Sequence, residues 1–249
     1  MQPGAQGSKV FARGRKGEEP MDHAAQWTKQ AAGALFMGLE REPADALLDA
    51  ASQRRFEAGA TLFHQGDAPD QLLQVRTGLV KMSRVNPDGA QTMLRYMGRS
   101  DLIGCVAVFR RTPYPATAST VRPTTALSWG AQRILELMRR YPAISANALG
   151  IVGDRAREMV DRVSELTDKG TEARIASVLL RLADQIGRRS ASGIEIATPG
   201  MRRDIAEMTN LNYFTVSRML GAWQTSGIVR VARGRILILE PRRLLQIAG

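Results

Sequence analysis

Thr198–Trp223, TPGMRRDIAEMTNLNYFTVSRMLGAW, decides how the rest of the chain is read. It divides into two short helices joined by a tight turn. Thr198 has the side chain of an N-cap, and Pro199 suits the first helical position, where a missing N–H costs nothing. Ile205 and Met208 share one face of the first helix. Thr209-Asn210-Leu211 interrupts the pattern, with Leu211 as an apolar plug between the helices and Asn212 able to cap the second through its side-chain oxygen. Val216, Met219, Leu220 and Trp223 then recur at helical spacing as a stripe to be buried. The opposite face carries Tyr213, Phe214, Ser217 and Arg218. An apolar face seated on a domain, with the first turns left free, is helix-turn-helix geometry, whose second helix is built to lie in a DNA major groove.

The residues that follow extend this reading. Ile228–Val231 and Ile236–Leu239 are β-branched runs separated by Ala232-Arg233-Gly234-Arg235, which reads as a hairpin with a glycine turn. A hairpin directly after a recognition helix is the wing of a winged helix. Arg230, Arg233 and Arg235 are placed to meet phosphates, as are Asn212 and Thr215, and Arg202 and Arg203 of the first helix join them as DNA-contacting candidates. The competing reading of the wing arginines is a solvated turn. Over Gly170–Gly249 there are twelve arginines and no lysine against six acidic residues, a net of +6 that places the footprint of a polyanion in this third of the chain.

Working outward, 249 residues suffice for two domains, and a hydrophobic content of 44% supports real cores. A formal net charge of +11 and a pI near 10.7 point to nucleic acid ahead of a membrane surface. No apolar run is long enough to span a bilayer, and no secretory signal is visible. A single cysteine excludes a disulfide framework, iron–sulfur ligation and a cysteine-rich zinc site, and fits a reducing cytoplasm. Residues 1–22 read as a disordered basic tail whose Lys9, Arg13, Arg15 and Lys16 add weak nonspecific DNA affinity at most, with Met21 as an alternative start. From His23 to about Gln53 the pattern is helical, with Trp27, Ala31, Ala34, Leu35 and Phe36 on one face and Leu47, Leu48 and Ala51 further on.

From Phe56 the texture changes to short strands punctuated by Gly59, Gly66, Gly78, Gly89, Gly98 and Gly104. Leu72–Val75 and Leu79–Met82 read as separate strands, Val85–Gly89 as a hairpin, and Ala118–Trp129 as closing strands, giving an antiparallel β-roll of about eight strands, jelly-roll-like. A roll of this kind contains a small ligand or a metal. Only His23 and His64 are available as histidine ligands, so a metal site is not expected, and no triad or paired-carboxylate spacing supports an enzyme. Tyr141 to about Asp168 reads as one long helix between two domains, the roll with its N-terminal helices (23–140) and the winged helix-turn-helix (170–249), the linking segment being 141–169. Along it Val152, Ala156, Met159, Val163 and Leu166 alternate four and three residues apart with charges on both flanks, the spacing of a two-helix dimer seam. The fold class is therefore α+β: an antiparallel β-roll, a long dimerisation helix and a C-terminal winged helix-turn-helix.

Several motifs in this order resemble the Crp/Fnr family of transcription regulators along nearly the whole chain after about Leu35. They are Phe56-x-x-Gly59-x-x-x-Phe63-x-x-Gly66-Asp67, Val75-x-x-Gly78, Pro87-x-Gly89, Asp101-Leu102-Ile103-Gly104, Tyr114-Pro115-Ala116-Thr117-Ala118, Asp204-Ile205-Ala206 and Thr215-Val216-Ser217-Arg218. The resemblance implies a homodimer with a cyclic-nucleotide-binding-type roll and a winged helix on a palindromic operator, with double-stranded DNA, a small effector and RNA polymerase as partners. It also implies an effector pocket around Gly104, Cys105, Val106, Tyr114, Ala116 and Thr117. Cyclic-AMP-responsive members carry a glutamate where this chain has Cys105, and an Arg-Ser pair where it reads Pro115-Ala116-Thr117. The expected effector is accordingly not cyclic AMP. The family's Arg-Glu pair on the recognition helix is replaced here by Tyr213-Phe214, and only Arg218 matches, as the base reader. The cofactor stays unassigned: the oxygen-sensing branch's N-terminal cysteines are absent, and Cys105 is open as a redox thiol, a haem ligand or an inert buried cysteine. Three other readings stay open: a regulator with a vestigial pocket set by abundance, a cyclic-AMP-responsive one using Arg110 or Arg111 as phosphate ligands, and a jelly-roll enzyme or storage protein with an incidental basic domain.

Overall fold

The computed structural model describes residues 33–249, so the basic tail and the Trp27 and Ala31 positions lie outside the described residues. Strands β1 (Ser52–Phe56), β2 (Thr61–Phe63), β3 (Gln71–Val85), β4 (Gln91–Met97), β5 (Leu102–Ile103) and β6 (Thr117–Gly130) form one antiparallel sheet. Its order is β1-β6-β3-β4, with β2 also on β6 and β5 on β3. β3 and β6 run side by side from the Gln71–Gly130 pair to the Ser83–Thr117 pair. The sheet has six strands rather than about eight because two expected breaks are bulges within continuous strands. Gly78 does not end a strand: at φ 96° it sits where a Cβ would lie 2.4 Å from Thr124 Oγ1, so its missing side chain lets β3 press on β6 while the register shifts. Ala118–Trp129 is likewise one strand. Inside the roll, Leu73, Val75, Val80, Met97, Ile103 and Ala126 form a single apolar cluster.

A 3-10 turn at Ala34–Phe36 leads to helix α1 (Arg41–Asp49). The helical pattern expected to continue to Gln53 stops at Asp49, because Ser52 and Gln53 pair with Ser128 and Leu127 at the sheet edge. Two helices were not anticipated. α2 (Cys105–Arg110) follows Gly104 in its left-handed conformation, and α3 (Ala131–Arg140) buries Ile134 and Leu137. Pro142 occupies the first turn of α4 (Pro142–Asp168), where its missing N–H is tolerated, and this separates α4 from α3. The first turns of α4 bury Ile144 and Ala148 in a cluster with Leu35, Leu47 and Trp129. Trp129 Nε1 donates to the Leu47 carbonyl at 2.7 Å, and Asn147 Nδ2 donates to the carbonyls of Leu35 and Met37 at 3.0 and 2.8 Å. No helix among the described residues is long and apolar enough to cross a membrane.

After α4 come α5 (Thr171–Ile186), β7 (Arg188–Ser190), β8 (Gly193–Ala197), α6 (Met201–Thr209), α7 (Tyr213–Thr225), β9 (Val229–Ala232), β10 (Arg235–Ile238) and α8 (Pro241–Ala248). The β7–β8 hairpin and α8 were not anticipated. The four strands form a second sheet in the order β7-β8-β10-β9. Ile175, Leu179, Ile205, Val216, Leu220 and Trp223 make its core with the helices, and Leu79, Met93 and Tyr96 of the roll join the same cluster. The two units therefore share one packed interior.

At the centre of that junction the Asp204 carboxylate is almost completely buried. Lys81 Nζ donates to its Oδ1 and the Tyr96 hydroxyl donates to its Oδ2. Burial, reinforced by Asp204, pushes the Tyr96 phenol far above its ordinary value, so it stays a neutral donor. Arg122 adds a hydrogen bond to the Ala197 carbonyl. Removing one partner from a buried pair leaves an uncompensated charge. Lys81→Met is expected to cost about 3 kcal/mol, seen as a lower urea midpoint. The double change Lys81→Met with Asp204→Asn is expected to recover part of that loss, since no charge then remains buried.

Candidate nucleic-acid interface

The two-helix unit is built by local rules with one shift from expectation. Thr198 does not cap α6 and Pro199 is not its first residue. Thr198 is buried with its Oγ1 3.1 Å from the Tyr96 hydroxyl, and Gly200, at φ 76°, turns the chain into a helix that begins at Met201. The tertiary hydrogen bond to Tyr96 draws the hydroxyl away from the helix end it would otherwise cap. α6 ends at Asn210, whose φ of 53° is the left-handed conformation that asparagine tolerates. Leu211 then packs against the core. Asn212 caps α7 as its chemistry predicts, Oδ1 accepting from the Thr215 N–H at 2.8 Å.

On α7, Val216, Leu220 and Trp223 are buried and Met219 is partly so. Trp223 Nε1 donates to Glu172 of α5 at 2.9 Å, holding the helix against the domain. The outward face carries Tyr213, Phe214 and Arg218 exposed, with Thr215 and Ser217 half-buried between. The Arg202 guanidinium beside the Tyr213 phenol holds it below the ordinary tyrosine value. β9 and β10 pair Ala232 with Arg235, so the wing turns through Arg233 and Gly234 alone, and Gly234 takes φ 71°. Gln224 of α7 accepts the Val231 N–H at 2.9 Å and fixes the wing to the recognition helix.

Between the start of α6, Tyr213 and the wing lies an open cleft of about 490 Å³. Arg202, Arg203, Arg233 and Arg235 line it, and no carboxylate does. Arg203 also reaches Glu207 at 3.3 Å, and Arg235 lies 3.9 Å from Glu195, both solvent-exposed arginines whose pairs contribute little. The structure thus brings Arg202, Arg203, Tyr213, Arg233 and Arg235 to one concave face. Phe214 and Arg218, four residues apart, share the adjoining helix face.

The residues expected around an effector do not all converge. Gly104 and Tyr114 do: a Cβ on Gly104 would sit 3.0 Å from the Tyr114 ring. That ring stacks on Phe63 with centroids 3.7 Å apart, and its hydroxyl donates to the Gln71 carbonyl at 2.6 Å. Burial pushes the Tyr114 phenol up to about 12. Thr117 Oγ1 accepts the Gln65 N–H at 3.0 Å, and Ala116 is buried. Cys105 instead faces outward from the roll interior, in the cluster shared with α4, where Arg155 Nη1 lies 3.0 Å from its Sγ. Val106 points to solvent.

The α4 residues expected to form a seam run from half-buried to exposed. Val152 is half-buried and Ala156 is exposed, while Met159, Val163 and Leu166 are 54%, 62% and 44% exposed. The flanking charges turn toward the chain's own roll and α5. Arg155 donates to the Leu102 carbonyl, Glu158 accepts from Arg95 at 2.6 Å, Arg162 donates to the Leu94 carbonyl at 2.7 Å, and Glu165 pairs with Arg181 at 2.8 Å. Sequence reasoning missed Leu149, an exposed apolar residue three positions before Val152.

Residues 53–141 match the cyclic nucleotide-binding domain, and residues 173–247 match the Crp-like helix-turn-helix domain. The chain is 27% identical over 214 residues to a CRP-like cAMP-activated global transcriptional regulator of Mycobacterium tuberculosis, covering 86% of this chain and 96% of that protein. It is 28% identical to the cyclic AMP receptor protein of Thermus thermophilus over the same shares. FixK2 from Bradyrhizobium japonicum shares the fold, with a TM-score of 0.71 at 20% identity over 80% of this chain and 98% of that one. A cyclic-nucleotide-binding roll joined in one chain to a Crp-like helix-turn-helix, with relatives spanning both, makes this protein a member of the Crp/Fnr family of DNA-binding transcription regulators.

Proposed function

We propose that the protein regulates transcription as a homodimer on a palindromic operator, acting in the cytoplasm and gated by a small effector other than cyclic AMP. The observation that carries the dimer is the apolar row on α4. Arg155, Glu158, Arg162 and Glu165 are already engaged within the chain, and Asp154, Arg157 and Asp161 stay exposed, so Met159, Val163 and Leu166 are left as an exposed patch rimmed by polar groups, the signature of an interaction surface. The four–three spacing suits a second copy of the same helix, and a two-fold dimer matches a two-fold operator. Arg202, Arg203, Arg233 and Arg235 then take phosphates, while Arg218 on the exposed face of α7 takes a base edge.

For the effector, support comes from what surrounds Gly104. A buried cyclic phosphate needs a paired cation. Cys105 stands where the glutamate of cyclic-AMP-responsive members would be, and faces α4. Arg110 and Arg111, the nearest arginines in sequence, are exposed. A second reading, a roll without any effector and a regulator set by its abundance, is favoured by the Tyr114–Phe63 stack and the apolar packing of the roll interior. Mass spectrometry of small molecules released from the purified protein separates the two.

Met159→Glu places like charges across the seam and is expected to yield monomers by light scattering; an unchanged dimer moves the interface elsewhere. Calorimetric titration with cyclic AMP is expected to show no binding in the micromolar range. Micromolar or tighter binding overturns that expectation and makes Arg110 and Arg111 the residues to replace first. Arg218→Ala is expected to cost about 1–3 kcal/mol against the operator and far less against a scrambled duplex, both measured at one salt concentration. Equal losses on both duplexes would make Arg218 a phosphate ligand and not a reader.

A further inference from the structure

Phe214 is the second residue of α7 and is 81% exposed, more than any other large apolar side chain of the described residues. The Tyr213 ring meets it edge-on, centroids 6.0 Å apart and planes at 84°, and Tyr213 is itself held beside Arg202. The aromatic pair is thus braced from the side of the arginine-lined cleft, with the outer face of Phe214 left uncovered. Arg218 stands one helical turn further along the same face. An apolar ring this exposed, at the tip of a helix flanked by Arg202, Arg203 and Arg233, suits a surface that is polyanionic in outline and apolar at one point. The base edges in a DNA major groove offer one such point, the 5-methyl group of thymine.

We propose that Phe214 reads one thymine in each operator half-site through its 5-methyl group, so that sequence at this step is recognised by apolar contact and not by hydrogen bonding. The inference rests on the reading of α7 as the recognition helix. A phenyl ring can neither donate to guanine O6 nor accept from cytosine N4, so it tolerates a polar edge poorly and discriminates by shape and methyl contact alone. Arg218 supplies the hydrogen-bonded reading beside it.

The test uses the full-length protein and a duplex selected by repeated binding from a random-sequence library. Failure to select any duplex counts against the DNA-binding reading itself, separately from the role of Phe214. With a selected duplex, each thymine is replaced in turn by deoxyuridine, which removes the methyl group and nothing else, and affinity is read by fluorescence anisotropy at fixed salt. One thymine per half-site is expected to respond, with a loss of about fourfold for one half-site and about fifteenfold for both, the value of one buried methyl group. Phe214→Ala, a surface change that leaves the core untouched, is expected to bind the thymine and deoxyuridine duplexes equally. Putting cytosine at the responsive position is expected to weaken binding, and 5-methylcytosine to recover part of the loss. Three results would overturn the proposal. Deoxyuridine sensitivity that persists in Phe214→Ala assigns the methyl to another side chain. Loss of affinity in Phe214→Ala with no sensitive thymine makes the ring a wedge between base pairs. Unchanged affinity in Phe214→Ala for every duplex leaves the ring facing a protein, not DNA.

Discussion

The position of the DNA-binding unit depends on one buried carboxylate. Asp204 lies on α6, nearly inaccessible to solvent, and is satisfied by Lys81 of β3 and Tyr96 of β4. An ionised group at such a depth is tolerated only with its partners in place, so the contact demands a particular placement of the two units. The same short helix carries Arg202 and Arg203 on its outward side. α6 thus joins the contact with β3 and β4 on its inner side to the arginines of the cleft on its outer side.

Helix α4 is held by both units of the chain and still keeps an apolar row exposed. Its early turns are fixed on the roll by Ile144, Ala148 and Asn147, and its later polar side chains reach the roll and α5 through Arg155, Glu158, Arg162 and Glu165. The apolar row is what remains on the outside. Mixed charge beside a heptad seam suggests ion pairs across the partner helix. Here Arg155, Glu158, Arg162 and Glu165 are engaged within one chain, while Asp154, Arg157 and Asp161 stay exposed beside the apolar row.

The roll combines a backbone frame set by glycines with an apolar interior. Gly78 and Gly104 hold the backbone features of the fold, since a Cβ at Gly78 would collide with Thr124 and Pro123, and Gly104 takes a left-handed φ of 84° with Tyr114 and Gln71 close by. Around Gly104, however, Tyr114 stacks on Phe63 and spends its hydroxyl on Gln71, and the interior strands contribute apolar side chains. The frame is that of a cyclic nucleotide-binding domain.

What the residues alone determined about this protein is whatever depends on near neighbours in the chain. The apolar period of α7, the Asn212 cap, the Arg233-Gly234 turn and the surplus of arginine were all legible, because helix faces, caps and two-residue turns are set within a few positions. Even the missed α3 carried its signal in Ile134, Leu137 and Met138. Tertiary structure decided the rest. Thr198 looks like a helix cap, yet Tyr96, far away in the chain, claims its surroundings, and α6 starts three residues later. Gly78 looks like a strand end, yet the neighbouring strand makes it a point of closest approach. Cys105 sits beside a pocket glycine in sequence but faces α4 in space. The Tyr96–Asp204 hydrogen bond joins residues 108 positions apart, and no local pattern announces it. Which groups satisfy a buried charge is settled only when distant segments pack, because the cost of leaving it unpaired is incurred only once water is excluded.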